Sequence, residues 1–267
     1  MLREYLSITI FEGGENKMLN QKEKMKIIRK SQKIMEHACK NLITRRYGAN
    51  KTDFYWHKTK ERYCQILDEL PDIGGEANVL SHNLYKSAWI FALYDVVGRN
   101  LTKEEIDTVI HEVMEDGLNI LQKIPGRFLM KRKVLRSLLI RHIENYQKKL
   151  EPHLHKDWHN TWGMEVQHDI NDGIHFVLRG CPIKDYCEKH GIMEILPYLC
   201  NMDHLMIQAL QLYLIRPKTC SNGDEICEYM IVADDSPLAK INPIAVTDSG
   251  LMLTKKEKNH AISGIRE

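Results

Sequence analysis

The sequence contains no uninterrupted apolar run of 18 or more residues, so nothing in it reads as a membrane-spanning helix. It also lacks a glycine-rich phosphate loop, an HExxH, a GxSxG and any CxxC pair. Nucleotide hydrolysis and the standard serine-hydrolase scheme therefore find no support. An excess of charge of one sign is missing too. The 38 basic and 36 acidic residues leave a formal +2, which gives no reason to expect nucleic acid or an anionic membrane as partner.

What is present is ordinary globular composition over 267 residues, 43% hydrophobic and 28% charged, enough chain to bury a core without disulfides or a structural metal. The opening segment has a short apolar run from Tyr5 to Phe11, but no long basic region and no small-residue cleavage site. It does not read as a signal peptide, and residues 1–18 are expected to form a flexible leader. The seven cysteines are placed unevenly. Cys39 and Cys64 stand alone, whereas Cys181, Cys187, Cys200, Cys220 and Cys227 crowd together. In a chain of this kind they suggest a reducing, cytoplasmic setting with buried, reactive or metal-bound thiols.

Residues 19–150 read as helical. Apolar residues recur at helical spacing through Ile27, Ile28, Ile34 and Met35, and again through Tyr63, Ile66 and Leu67. Leu80 to Val97 is apolar on much of its circumference, as a buried helix would be, with Gly98 as its stop. Thr102 and Glu105 form a capping box that launches a helix to about Ile120. Arg127 to Leu150 reads as one basic amphipathic helix. Its Lys131, Arg132, Lys133, Arg136 and Arg141 are expected to face solvent, because aromatics are not interleaved there as nucleic-acid stacking requires.

The character changes near Pro152. Trp162–His168 and Gly173–Leu178 read as two strands joined by an Asn171-Asp172-Gly173 turn. Pro182 opens a helix that His190-Gly191 ends. A further helix is expected from about Asn201 through Leu214, stopped by Arg216-Pro217, and Glu225–Ala233 reads as a strand. The expected fold is α+β: an N-terminal helical layer (19–150), then a smaller antiparallel-sheet-plus-helices unit (151–234) that carries the chemistry. Residues 235–267 are expected to be a polar, weakly patterned tail.

Cys181 precedes Pro182 at a strand-to-helix junction, where helix-end N–H groups favour a thiolate and can hold an oxyanion. The competing reading is a small buried residue closing a turn. Cys200, Asp203 and His204 put a thiol, a carboxylate and an imidazole near one helix end, a set able to supply nucleophile, general base and orienting group. Asp203 capping its helix would explain the same residues. Arg216 offers a planar fork for a carboxylate, or simply complements a helix C-terminus. His168 and His175 lie on the two hairpin strands and approach the site from the sheet. Cys227, in the last strand, needs no function to explain it. The cysteine gaps match no standard zinc spacing, and His153, His155, Asp157 and His159 fall in an expected linker.

The ordered string Cys181-Pro182, Leu196-Pro197-Tyr198-Leu199-Cys200, Asp203, Leu214-Ile215-Arg216, Thr219, Gly223 and Cys227 resembles the L-2-amino-thiazoline-4-carboxylic acid hydrolase family. The likeness extends more loosely over residues 60–232. It implies ring opening of an aminothiazoline carboxylate to N-carbamoyl-cysteine or a related reaction. The family's positions carry onto Cys181, Cys200, Asp203, Arg216 and Cys227. Cys200, Asp203 and Cys181 are the expected catalytic residues, by thiolate attack or by water activated on Asp203. Arg216 and Cys227, with His175 from its place on the hairpin, are expected to bind substrate. Two departures from the family pattern stand out. Glu228-Tyr229-Met230 replaces Asp-Phe-Arg, and Arg216-Pro217-Lys218-Thr219 replaces RTxT. Loss of the late arginine is expected to remove a contact to a substrate carboxylate.

The resemblance implies a small-molecule substrate and no cofactor, with a divalent metal left open, as is a homo-oligomer. A non-catalytic small-molecule or metal-binding module with a cysteine-rich pocket is the alternative. A redox pair of Cys181 and Cys187 is disfavoured by its spacing.

Overall fold

The computed structural model describes residues 21–154, 158 and 161–254. The leader at 1–18 lies outside them, as do His155, Asp157 and His159. The fold is α+β, with helices first and an antiparallel sheet after them.

Helices α1 (Gln21–Tyr47), α2 (Ala49–Glu69), α3 (Ser81–Val96) and α4 (Lys103–Leu121) form the helical layer. The expected capping box starts α4: the Thr102 hydroxyl accepts from Glu105 N, and the Glu105 carboxylate accepts from Thr102 N. Buried residues occur all round α3, which makes it the central helix. Its Trp89 is fully buried, stacked on Tyr63 at 3.9 Å and Trp56 at 5.2 Å. The indole N–H donates to Ser31 Oγ (2.9 Å), which also meets Tyr63 OH (3.0 Å), so the polar atoms of this aromatic core are satisfied.

The basic stretch expected as one helix is two, α5 (Gly126–Lys131) and α6 (Lys133–Leu150). Arg132 between them is extended (φ −86°, ψ 109°). The break lets α5 press on the chain around Leu210, where a Cβ on Gly126 would sit 2.2 Å from the Leu210 carbonyl oxygen. Lys131, Arg132, Lys133 and Arg141 are exposed. Arg136 is half-buried and donates to the carbonyls of Met130 and Asn171.

The sheet has the order β1-β2-β4-β3 and is antiparallel throughout: β1 (Gly163–Gln167), β2 (Gly173–Arg179), β3 (Leu212–Ile215) and β4 (Ile226–Ala233). The β1–β2 hairpin and β4 fall where the sequence places them. Helix α7 (Pro182–His190) begins at Pro182 and ends at Gly191, whose φ of 62° lets Ile192 N reach the Cys187 carbonyl.

Two expectations fail after α7. Helix α8 runs Leu196–Ala209, earlier than expected, and Leu212–Ile215 is strand β3 rather than its last turn. The chain reverses through Gln211, which adopts a left-handed φ of 58°. Cys200 is accordingly inside α8 rather than at its cap, Asp203 caps nothing, and Arg216 follows a strand rather than ending a helix. The segment expected as a polar tail contains α9 (Pro237–Ile241) and a hairpin of β5 (Ile244–Val246) and β6 (Met252–Thr254).

The largest core cluster joins residues of α1–α4 to Tyr186, Cys187, Leu196 and Leu199 of α7 and α8. Helical layer and sheet unit therefore share one core, and the site forms between them.

Candidate active site

Side chains alternate across a strand, so each face of the sheet is fixed by register. Leu178 pairs with Cys227 and Phe176 with Tyr229, and these four share one face. They form one wall of a cavity of about 240 Å³, open on one side. Its other walls come from α3 (Asn83, Lys86, Ser87, Ile90), from Cys181 and Ile183 at the start of α7, and from α8 (Leu199, Cys200, Met202, Asp203, Met206). Most of the lining is apolar, with a few polar groups converging, the usual constitution of a small-molecule site. Cys181, Cys200, Asp203 and Cys227 are thus brought together.

His175 and Arg216 are placed elsewhere. His175 pairs with Met230 on the opposite face of the sheet, where its Nδ1 meets Asp169 Oδ1 at 2.6 Å. A one-residue offset along β2 turns it away from the cavity. His168 is exposed, beside Glu144. Arg216 has 0% of its side chain exposed and lies behind the wall rather than in it. Its Nη1 donates to the Cys200 carbonyl (2.7 Å) and to Asp203 Oδ2 (3.2 Å), and its Nη2 to the Met252 carbonyl (3.0 Å). Both Nη groups are thus tied to the protein, one of them to the Asp203 carboxylate, while the buried Nε has no partner among the described residues.

Asp203 lines the cavity, and the exposed 36% of its side chain opens on that space. Oδ2 also accepts from the Tyr229 hydroxyl at 2.8 Å. Burial raises the carboxyl pKa above its ordinary value, while Arg216 and Tyr229 pull it back down. Burial likewise raises the Tyr229 phenol, which stays a hydrogen-bond donor.

The thiols sort differently from the sequence expectation. Cys181 does sit at the N-cap of α7, with Lys184 N donating to its sulfur at 3.4 Å. Burial outweighs that help and pushes the thiol up to about 12. Burial also raises Cys200. Cys227 moves the other way. It is beside the Cys220 thiol, and it receives the Cys220 backbone N–H (3.3 Å) and contacts the Thr219 hydroxyl (3.3 Å). Together with the charge of Arg216 these lower its pKa against the opposing effect of burial. Within the pair Cys227 is lowered and Cys220 raised, chiefly because the two thiols share a hydrogen bond in which Cys220 is the donor.

The donor is held by a tight turn. Asn222 N and Asp224 N bond to the Thr219 carbonyl, and Asp224 Oδ2 accepts from Thr219 N. Gly223 supplies the left-handed φ of 88° that closes the turn. Cys220 was not singled out by sequence reasoning, and only its place among the crowded cysteines marked it.

The family model for L-2-amino-thiazoline-4-carboxylic acid hydrolase matches residues 82–231, more than half of the chain. The chain belongs to this family. No curated protein and no solved structure matches the chain.

The departures from the family pattern now have a geometric reading. Met230 faces away from the cavity and packs with Ile215 and Leu238, so position 230 offers no contact to a cavity ligand. The expected loss of a carboxylate contact thus concerns a position on the face of the sheet away from the cavity. Tyr229 in place of the family's phenylalanine does reach the site, adding a hydroxyl on Asp203. Thr219 keeps the family's threonine and places its hydroxyl on Cys227.

His204, next to Asp203 in sequence, is 3% exposed and points away from the cavity. Burial, and then the Arg216 charge, lower its pKa to about 3. The unfolded chain takes up a proton near pH 6.5 that the native state refuses until about pH 3, so stability is complete above pH 6.5 and is lost as pH falls. The expected slope from this residue is about 1.4 kcal/mol per pH unit. Urea midpoints measured from pH 7 to 4 should fall less steeply in His204→Gln than in the native protein; parallel curves would remove the assignment.

Among the described residues no group of three or more His, Cys, Asp or Glu is arranged to hold a metal ion, and no helix is long and apolar enough to cross a membrane.

Proposed function

We propose that the protein is a hydrolase that opens a small thiazoline-type ring, an aminothiazoline carboxylate or a close relative, with Cys227 as nucleophile and Asp203 as proton carrier. The observation that carries this is the Cys227 sulfur on the cavity wall, with the Cys220 backbone N–H and the Thr219 hydroxyl of the Thr219–Gly223 turn both 3.3 Å from it. The cavity also takes in a carboxyl group raised by burial.

In the first step the Cys227 thiolate adds to the ring carbon between nitrogen and sulfur. The ring carbon–sulfur bond breaks, and the departing sulfur takes the proton of Asp203. An isothiourea is left on Cys227. Water then adds to its carbon and gives one proton to the Asp203 carboxylate and one to nitrogen. The carbon–sulfur bond to Cys227 breaks, releasing the carbamoyl product and regenerating both the thiolate and the acid. An acid with a raised pKa suits the first step, and the Tyr229 and Arg216 bonds to Oδ2 steady the anion formed in it. Cys181 and Cys200, protonated by burial, shape the wall.

Seven cysteines with no disulfide among them fit a reducing, cytoplasmic setting. Incubating the purified protein with 2-amino-thiazoline-4-carboxylate and related cyclic amidines should release one new thiol per ring opened, read with a chromogenic disulfide. Absence of thiol release across such a panel would sink the proposal.

A further inference from the structure

We infer that Lys86 is the anion anchor of the cavity, so that the ligand is a bipolar small molecule with a carboxylate at one end and a basic, reactive nitrogen-bearing carbon at the other. The inference deepens the hydrolase reading and takes from it only the reacting end of the ligand.

Among the described residues, Lys86 is the only basic side chain on the cavity wall and Asp203 the only acidic one. They lie on different helices, α3 and α8. Lys86 is half-buried and, unlike most buried cations, has no carboxylate partner: no described acidic group forms an ion pair or a hydrogen bond with it. Its charged neighbour is another cation, Lys30, and burial together with that repulsion lowers its pKa. A half-buried ammonium in such a place lacks a counter-charge, and an incoming anion supplies the missing half of the pair.

Asn83 and Ser87 of the same helix line the cavity beside it and offer neutral hydrogen bonds to the same anion. On the walls from β4 and α8 the Cys227, Asp203 and Tyr229 group suits a carbon attached to protonatable nitrogen, with Asp203 as acid. The apolar remainder (Ile90, Trp162, Phe176, Leu178 among it) fits the body of a small ring. Arg216, the residue whose type first suggests carboxylate binding, is excluded by its complete burial behind Asp203. The anchor therefore comes from the helical layer, and the reacting groups from the sheet unit.

The test uses binding, so that turnover does not enter it. The full chain carrying Cys227→Ser is titrated by calorimetry with 2-amino-thiazoline-4-carboxylate and with its neutral carboxamide. The carboxylate should bind at least about tenfold tighter, the size of a charge-assisted hydrogen bond. Adding Lys86→Met, which keeps the aliphatic stem, should erase the preference, and adding Lys86→Arg should keep part of it. A preference that survives Lys86→Met, no preference at all, or no binding of either compound overturns the inference. A Lys86-dependent preference in a protein that shows no thiol release would leave the anchor standing and remove the hydrolase reading.

Discussion

Cys227→Ser should leave the melting temperature close to that of the native protein and lower ring opening by at least about a thousandfold, the scale on which loss of a covalent nucleophile is felt. The serine oxygen can accept the same bonds from Cys220 N and Thr219, so the turn is kept. What is lost is the anion: a hydroxyl in this position stays protonated, and among the described residues no imidazole is placed to activate it, His204 being turned away and His175 on the other face of the sheet. Cys181→Ser and Cys200→Ser should cost less than about tenfold, because burial keeps both thiols protonated. Steady-state thiol release on the three variants measures the contrast. If Cys200→Ser is the silent variant and Cys227→Ser stays active, the nucleophile is on α8.

The second large effect falls on stability. Asp203→Ala should destabilise the protein by roughly 3 kcal/mol, the lower end of the range for stranding a buried charge, since cavity water reaches the vacated place. Arg216 cannot shed its proton, and with 0% of its side chain exposed it cannot turn to solvent either. It would keep the carbonyls of Cys200 and Met252 but no counter-charge. For a chain of this size the melting temperature should drop by about 6–10 °C. The double variant Asp203→Leu with Arg216→Met should recover part of that loss while remaining inactive, because removing both charges together removes the unpaired one. A double variant less stable than Asp203→Ala would show that Arg216 acts mainly through its carbonyl bonds.

Much of the architecture is legible in the residues because local chemistry decides it. Thr102 and Glu105 cap α4, Asn171-Asp172-Gly173 turns the first hairpin, and Pro182 and Gly191 bound α7. The error at Leu212–Ile215 has a definite cause. The reversal before β3 is made by Gln211, a residue with no preference for left-handed backbone, so the usual glycine signal is missing. Pro197, one position into α8, marks that helix's true start, but the apolar run around it concealed the signal. The four cavity residues Cys181, Cys200, Asp203 and Cys227 were found by type and order. Their environments are not legible in the same way, because they depend on the burial and the donors at each sulfur, which residue type does not give. His175 was misplaced by strand alternation, and Lys86, a single lysine in an apolar helix, became informative only once its lack of a partner was visible.

The bond from Arg216 to the Met252 carbonyl reaches beyond the residues that the family model covers. Asn201 in α8 makes two more such bonds, its side chain donating to the Gly250 carbonyl and accepting from Met252 N. During synthesis, therefore, every residue of the cavity wall emerges before the strand that completes the guanidinium's hydrogen bonds. Until β6 is added, Arg216 Nη2 lacks its Met252 acceptor behind Asp203. Arrival of β6, rather than of the last described cavity residue, is what closes the hydrogen bonds behind Asp203.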